Sequence, residues 1–574
     1  MKLYIPLLIV SLLLLSGCSG GGGGGGGSAS SDTTTTLDEG PTSLDLIQFN
    51  SEHFTGSGNC NECHTQLKDA GGNDVAMDAD WRSTMMANAA RDPLWQAKLA
   101  SEANRHPALK NVIEEKCSHC HTPMAERQSI FDSGNIDNTK LLDDGFLNPE
   151  NDYHEMGMDG VSCSLCHQIE DSHDLGENES FSGHFSIDET TSKPNRKIYG
   201  PYMNVFTTLM KNNVGFIPTG SEHIESSKVC ATCHTLYTPT VDDNGDVIGE
   251  ITEQAAYLEW EHSDFSDGIG DDDKSCQQCH MPLAEGEVRL VKQPRGGQIS
   301  KRAPFYKHHF VGGNAYMVNL IKEHADEIGV TAEAGHFDKT ISRTIEQLEN
   351  DTARLSIDGV TSDADVLDIP VTVAVLTGHK FPTGIPSRRA WIHLRVTTAD
   401  GTVLFESGAV NAEGKISGCD AGIDLAAIEP HYDIIDSSDK VQVYESIMAD
   451  VNDQVTYTLL RGAYYMKDNR LLPKGFEKAT AVDDIGVFGA ASVDDNFIGG
   501  SDKVTYKVDT SGYSGQITIE AVLNYQAISY PFYTDMIKDS EDEPLVKRFK
   551  GFYEATDSYK SGIAISRVSV SYTK

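Results

Sequence analysis

Cys60-Asn-Glu-Cys63-His64, Cys117-Ser-His-Cys120-His121, Cys163-Ser-Leu-Cys166-His167, Cys230-Ala-Thr-Cys233-His234 and Cys276-Gln-Gln-Cys279-His280 are five copies of one pattern. C-x-x-C-H is the attachment signature of c-type haem: two thiols form thioethers with the porphyrin, and the adjacent His becomes the proximal iron ligand. A four-thiolate zinc cage is the competing reading of paired C-x-x-C units. It does not account for a His after every second Cys. The pattern predicts five covalently bound haems, with Cys60, Cys63, Cys117, Cys120, Cys163, Cys166, Cys230, Cys233, Cys276 and Cys279 as attachment points. The proximal ligands are then His64, His121, His167, His234 and His280.

These motifs absorb ten of the 12 cysteines in the 574-residue chain. Cys18 and Cys419 remain, so no disulfide framework is implied, and Cys419 reads as a buried free thiol. The length calls for more than one domain. Asp and Glu outnumber Lys and Arg by 86 to 46, a formal charge of −40, to which haem propionates add. Such a field repels nucleic acid and anionic lipid surfaces and favours cationic partners, including oxidised metal ions; solubility alone is the competing reading, and no nucleic-acid partner is expected.

Residues 1–17 hold a positive start and an apolar run from Leu3 to Leu15, too short to span a bilayer and read as a signal peptide. The run ends in Leu15-Ser16-Gly17-Cys18, which resembles the lipobox of bacterial lipoproteins. That resemblance implies cleavage before Cys18, lipid on its sulfur and amine, and sorting to the outer membrane because Ser19 follows. Residues 18–47 continue with glycines from Gly20 to Gly27, then Ser, Thr and Asp, a composition that stays flexible. At about 5–6 Å × √n, roughly 30 such residues make a tether of about 30 Å.

Residues 48–325 carry the five motifs and read as a haem domain of helices and irregular chain. Asp92-Pro93 is an N-cap and first-turn pair opening a helix to about Ala103. A second helix starts at Pro107 and runs through Ile113 into Cys117. His119, inside a motif, reads as solvent-facing. Residues 326–574 change texture. A helix from Gly335 to Glu349 places Phe337, Ile341, Ile345 and Leu348 on one face. Period-two runs follow at 369–375, 392–396, 504–508, 517–523 and 563–570, which predict an antiparallel β-sandwich. Asp483, Asp484, Asp494, Asp495 and Asp502 crowd one stretch that could hold calcium. Their spacing fits no EF-hand loop, so solvated acidic loops are the expectation.

Further stretches resemble a family of multihaem cytochromes c of anaerobic and metal-reducing bacteria, similar in haem region to the hydroxylamine-oxidation type. They are Asp80-Trp81-Arg82-Ser83-Thr84-Met85-Met86-Ala87, Gly160-Val161-Ser162-Cys163, Ser221-Glu222-His223-Ile224, Tyr257-Leu258-Glu259-Trp260, His308-His309-Phe310-Val311-Gly312-Gly313-Asn314 and Thr377-Gly378-His379-Lys380-Phe381-Pro382-Thr383-Gly384. The resemblance implies distal ligands at His309 and His379, with His223, His154 and His184 as further candidates. Where relatives carry a His this chain has Met85-Met86, so Met86 is a candidate thioether ligand, which would raise its haem's potential. The function implied is electron relay at the cell envelope, lipid-anchored, in anaerobic respiration. Its partners would be other redox proteins such as cytochromes and quinol-linked donors, or periplasmic and extracellular acceptors. The alternative is an oxidoreductase acting on a small nitrogen or sulfur oxyanion at one open haem. All five motifs end in His, which counts against resemblance to the pentahaem nitrite reductases, whose active-site haem carries Lys there, but does not exclude an open site; a filament or structural subunit is a third reading.

Overall fold

In strand Val366–Val375 the side chains of Leu367, Ile369, Val371 and Val373 are fully buried, and the residues between them are not. A strand turns alternate side chains to opposite faces, so this spacing gives the sheet one apolar face. The computed structural model describes residues 45–136, 139–266, 268–270, 272–292, 299–420 and 428–574. The signal sequence, Cys18 and the glycine tether lie outside the described residues.

Two sheets build the second half. One runs Ile434–Ile435, Ser501–Asp509, Val366–Val375, Ala353–Ile357, with Thr361–Asp363 also on Val366–Val375. The other runs Val455–Thr456, Val443–Ala449, Arg389–Thr398, Gln516–Gln526, Ile563–Thr573, with two short strands added at its side. Register is set by apolar partners such as Val371 opposite Val504 and Ile519 opposite both Val396 and Val570. Pairings within these sheets are antiparallel except that of Ile434–Ile435 with Ser501–Asp509. The inner faces of both sheets share one hydrophobic core.

Helices cover that core. Ala334–Asp351 buries Phe337, Ile341 and Leu348, the face expected from their spacing. Two helices not anticipated from the sequence, Tyr530–Met536 and Pro544–Ala555, interrupt the strands. The second buries Val546, Phe549, Phe552 and Tyr553, a stripe at helical spacing.

The motif-bearing half holds short helices, as expected, among them Pro93–Arg105 and Lys110–His121. Asp92 caps the first of these by accepting from the Leu94 N–H. It also holds two small sheets beyond the irregular chain expected there. Arg196–Gly200 pairs in parallel with Phe216–Gly220, and Leu236–Val241 forms a hairpin with Val247–Gln254. Among the described residues no helix is long and apolar enough to cross a membrane.

Ser43–Lys574 is one compact unit. Helix Pro93–Arg105 packs on helix Pro544–Ala555, and Leu94 and Ala97 join the sandwich core. Arg105 locks the contact, donating from Nη1 to Asp535 and from Nε to Asp539, each at 2.8 Å. The change of texture near residue 326 is therefore a change of secondary structure over a shared core. Replacing Arg105 with Ala leaves two carboxylates facing each other. It is expected to cost about 2 kcal/mol, less than the roughly 3–5 kcal/mol of a fully buried pair, because Arg105 keeps a fifth of its surface. A urea midpoint equal to that of the unaltered protein would show that the join does not depend on this pair.

Candidate haem-binding array

The motif spacing works because each copy sits on a helical turn. The motifs lie at Ser57–Asn61, Lys110–His121, Cys163–Cys166, Ser227–His234 and Cys276–His280, the first and third extending just past the helix. Residues three and four apart share a helix face, so both cysteines and the following His point the same way. Local chemistry fixes where these turns begin. Ser226 caps the fourth motif helix, and Ser275 with Gln278 forms a capping box at the fifth.

Tertiary contacts then aim the imidazoles. Nδ1 of His64 meets the Leu290 carbonyl at 2.7 Å, that of His121 the Ala89 carbonyl at 2.9 Å, and that of His167 the Tyr199 carbonyl at 2.6 Å. Nδ1 of His280 meets the Val311 carbonyl at 2.6 Å. A carbonyl only accepts, so Nδ1 carries the proton and Nε2 keeps its lone pair for a metal. Burial lowers the pKa of all five motif histidines, to about 4 for His121 and His280. The neutral form, which is the ligating form, is the one this environment favours.

Two motif histidines face a second imidazole. The His280 and His379 rings have centroids 6.3 Å apart and are 7° from parallel. Those of His167 and His308 are 6.4 Å apart and 29° from parallel. Two imidazoles bound on opposite sides of one first-row metal, each at about 2.0 Å, place their centroids roughly 6 Å apart. Both pairs can therefore clasp an iron, and the donor set fits haem. His379 also directs its Nδ1 to a carbonyl, that of Lys380, at 2.9 Å.

The other sequence candidates fall in different places. His309 does not face a motif histidine; its Nε2 lies 3.6 Å from Asp80, which is itself bonded to Arg343. Adjacent side chains leave the chain in different directions, and it is His308, unremarked in the sequence, that turns toward His167. His223 has both ring nitrogens engaged, Nδ1 with the Ser221 hydroxyl at 2.7 Å and Nε2 with the Ile169 carbonyl at 2.8 Å. No lone pair is left there for iron. His154 repeats the motif pattern, with Nδ1 on the Phe146 carbonyl at 2.9 Å. His184 bonds the Phe181 carbonyl at 2.7 Å and lines a cavity of about 580 Å³ with Arg127 and Glu170. Met86 is half-buried, and its carbonyl accepts from Val161 at 3.0 Å beside Gly160, where a Cβ would come within 2.7 Å of that oxygen. His119 is buried rather than solvent-facing, with Nδ1 3.2 Å from the Ser182 carbonyl, and burial lowers it to about 4. Trp95, which no motif flagged, lies flat on the His121 ring at 4.3 Å and 5°.

The motifs are also neighbours. The thiols of Cys60 and Cys163 come together, as do Cys120 with Cys233 and Cys230 with Cys276. Hydrogen bonds stitch two of these pairs. Ser164 of the third motif takes the Thr55 N–H beside the first at 3.1 Å, and the Cys276 N–H reaches the Ser227 hydroxyl at 3.0 Å. First meets third, second meets fourth and fourth meets fifth.

The acidic stretch resolves differently from the solvated loops expected. Asp494 and Asp502 are buried around His431, with Asp494 3.0 Å and Asp502 3.6 Å from Nε2. The Gln442 amide, whose oxygen takes the Tyr432 N–H, donates to His431 Nδ1 at 2.8 Å; Asn469, held likewise by Glu445, donates at 3.1 Å. The ring proton therefore sits on Nε2 and points at Asp494, so this is a hydrogen-bonded cluster and not a ligand set for a cation. Asp484 lies elsewhere, accepting from Tyr237 at 3.1 Å and Thr252 at 2.5 Å.

A scan of protein-family models finds no match, and neither does a search of curated proteins. Among solved structures the chain is similar to a penta-heme cytochrome c552 from Thermochromatium tepidum, at 14% identity and a TM-score of 0.47, over 90% of this chain and 98% of that one.

The neighbouring histidines 308 and 309 offer a direct test. His308→Ala is expected to turn one low-spin haem high-spin and to let it bind carbon monoxide when reduced. His309→Ala is expected to leave the spectrum low-spin; the opposite pattern would exchange their roles.

Proposed function

We propose that this chain is a c-type cytochrome whose five motifs each hold one covalent haem, and that it relays electrons at the bacterial cell envelope. The observation that carries this reading is the His280–His379 pair, two imidazoles held nearly parallel at 6.3 Å. Bound haem supplies a reversible one-electron couple whose potential follows from axial ligands, hydrogen bonding and burial. The chain's own part is to hold each Nε2 in place, to keep each imidazole neutral and to bring the motifs side by side. The contacts of first with third, and of second and fifth with fourth, support electron passage between neighbouring haems. His308 and His379 serve as distal ligands in this reading, with His154, His184 and Met86 as the remaining candidates.

The acidic balance supports a positively charged redox partner or an oxidised metal acceptor. Lipid on Cys18 and a flexible tether would keep the body at the outer membrane, where electrons pass to periplasmic or extracellular acceptors.

Three measurements test the reading. Intact mass should exceed the lipid-modified polypeptide by five haem units, with no haem extracted by acid-acetone; a shortfall of one unit would remove one motif from the array. A native oxidised spectrum with one high-spin haem would instead favour reduction of a nitrogen or sulfur oxyanion. Cys18→Ala should release the protein from membranes or block its maturation; a variant that still needs detergent to come off would place the anchor elsewhere.

A further inference from the structure

His379 and Lys380 are consecutive residues with opposite destinations. The His379 ring faces His280. The Lys380 side chain runs inward, is fully buried, and ends on Asp468 at 2.8 Å and on the Gly486 carbonyl at 2.8 Å. Asp468 also receives Arg470, through Nε at 3.0 Å and Nη2 at 2.7 Å. Arg470 continues through Nη1 to Glu259 at 2.8 Å. The other Glu259 oxygen accepts from the Thr383 hydroxyl at 2.6 Å, which returns to the loop that carries His379. Each of the four charged side chains is less than a tenth exposed. Two cations and two anions leave the group with no net charge.

The ring of contacts joins separate parts of the chain. Glu259 lies on helix Ala256–Glu261, which packs on the fourth motif helix, Ser227–His234. Lys380 and Thr383 belong to the loop between strands Val366–Val375 and Arg389–Thr398. Asp468 ends strand Tyr464–Asp468. Phe381 and Leu471 exchange backbone hydrogen bonds at 2.8 Å beside the quartet, and Ser263 donates to the Gly378 carbonyl at 3.1 Å. Four buried charges are a costly way to hold a loop, since apolar residues of similar volume often stabilise as well or better. Charged pairs add what apolar packing lacks, a fixed direction for each contact.

We propose that Glu259, Arg470, Asp468 and Lys380 are positioning residues for His379, setting the angle of its imidazole opposite His280 and hence the potential of the haem those two rings share. The inference rests on the reading of His280 and His379 as the two axial ligands of one iron. Axial geometry and the hydrogen bonding behind a ligand tune a haem's potential and affinity, and the quartet acts through both.

The test uses the full holoprotein with Glu259→Gln, Lys380→Met and Lys380→Arg, and His379→Ala as the reference. Readouts are haem count by mass, the low-spin electron paramagnetic resonance signals, redox titration resolved by haem, and carbon monoxide binding. Glu259→Gln and Lys380→Met are expected to keep five haems, yet to move the signal and midpoint potential of one haem and leave the other four unchanged. Carbon monoxide binding should rise toward one haem in five, and Lys380→Arg should bring the signal back toward that of the unaltered protein. Potentials and signals identical to the unaltered protein in both variants would overturn the inference, as would a lowered denaturation midpoint with no spectroscopic change. Should Lys380→Met fail to mature, Glu259→Gln, isosteric and at the far end of the quartet, decides alone. His379→Ala separates the two levels. One new high-spin haem there, with the quartet variants silent, removes only the positioning role; five low-spin haems there remove the ligand reading itself.

Discussion

A histidine can give one ring nitrogen to a metal only when the other nitrogen is committed to holding the proton. Much of the motif-bearing half follows from meeting that condition repeatedly. Leu290, Ala89, Tyr199 and Val311 each bring a backbone carbonyl to Nδ1 of a motif imidazole. None of these carbonyls is near its histidine in sequence. Each must be delivered by a segment whose course is set elsewhere, and this gives the irregular chain between the motifs a structural task. The same condition identifies His223 and His431 as structural groups, because hydrogen bonds already occupy the nitrogens that a metal would need.

The β-sandwich takes part in this arrangement. Its loop from 377 to 388 reaches the motif helices and places His379 opposite His280. Its helix Pro544–Ala555 packs on Pro93–Arg105, the helix that lays Trp95 flat on His121. A shared apolar core and the Arg105 ion pairs bind the halves together. Packing of this kind holds His379 and Trp95 in fixed orientations against the motif histidines.

Much of the architecture was legible in the chain. Alternation in Ile369, Val371, Val373 and Val375 announced a strand with one buried face, and the stripe of Phe337, Ile341, Ile345 and Leu348 announced the helix over it. The cap at Asp92-Pro93 marked its helix to within two residues. Pro544–Ala555 was not assigned from the sequence, although Phe549, Phe552 and Tyr553 stand at helical spacing. The two small sheets of the first half were missed because their strands are short and carry Pro218 and Pro239, residues that argue against strands.

The expectation of haem attachment came from the sequence alone, because C-x-x-C-H is a local pattern and one helical turn is enough to align it. The orientation of each imidazole did not, because the carbonyl that fixes its tautomer comes from a distant segment. The choice between His308 and His309 turns on which of two adjacent side chains is directed at His167. That depends on the path of the backbone through Tyr306 to Val311, which only the packed structure sets. For the same reason the buried quartet behind His379 was invisible in the sequence: Glu259, Lys380, Asp468 and Arg470 are ordinary surface residue types until folding removes them from water and leaves them only one another as partners.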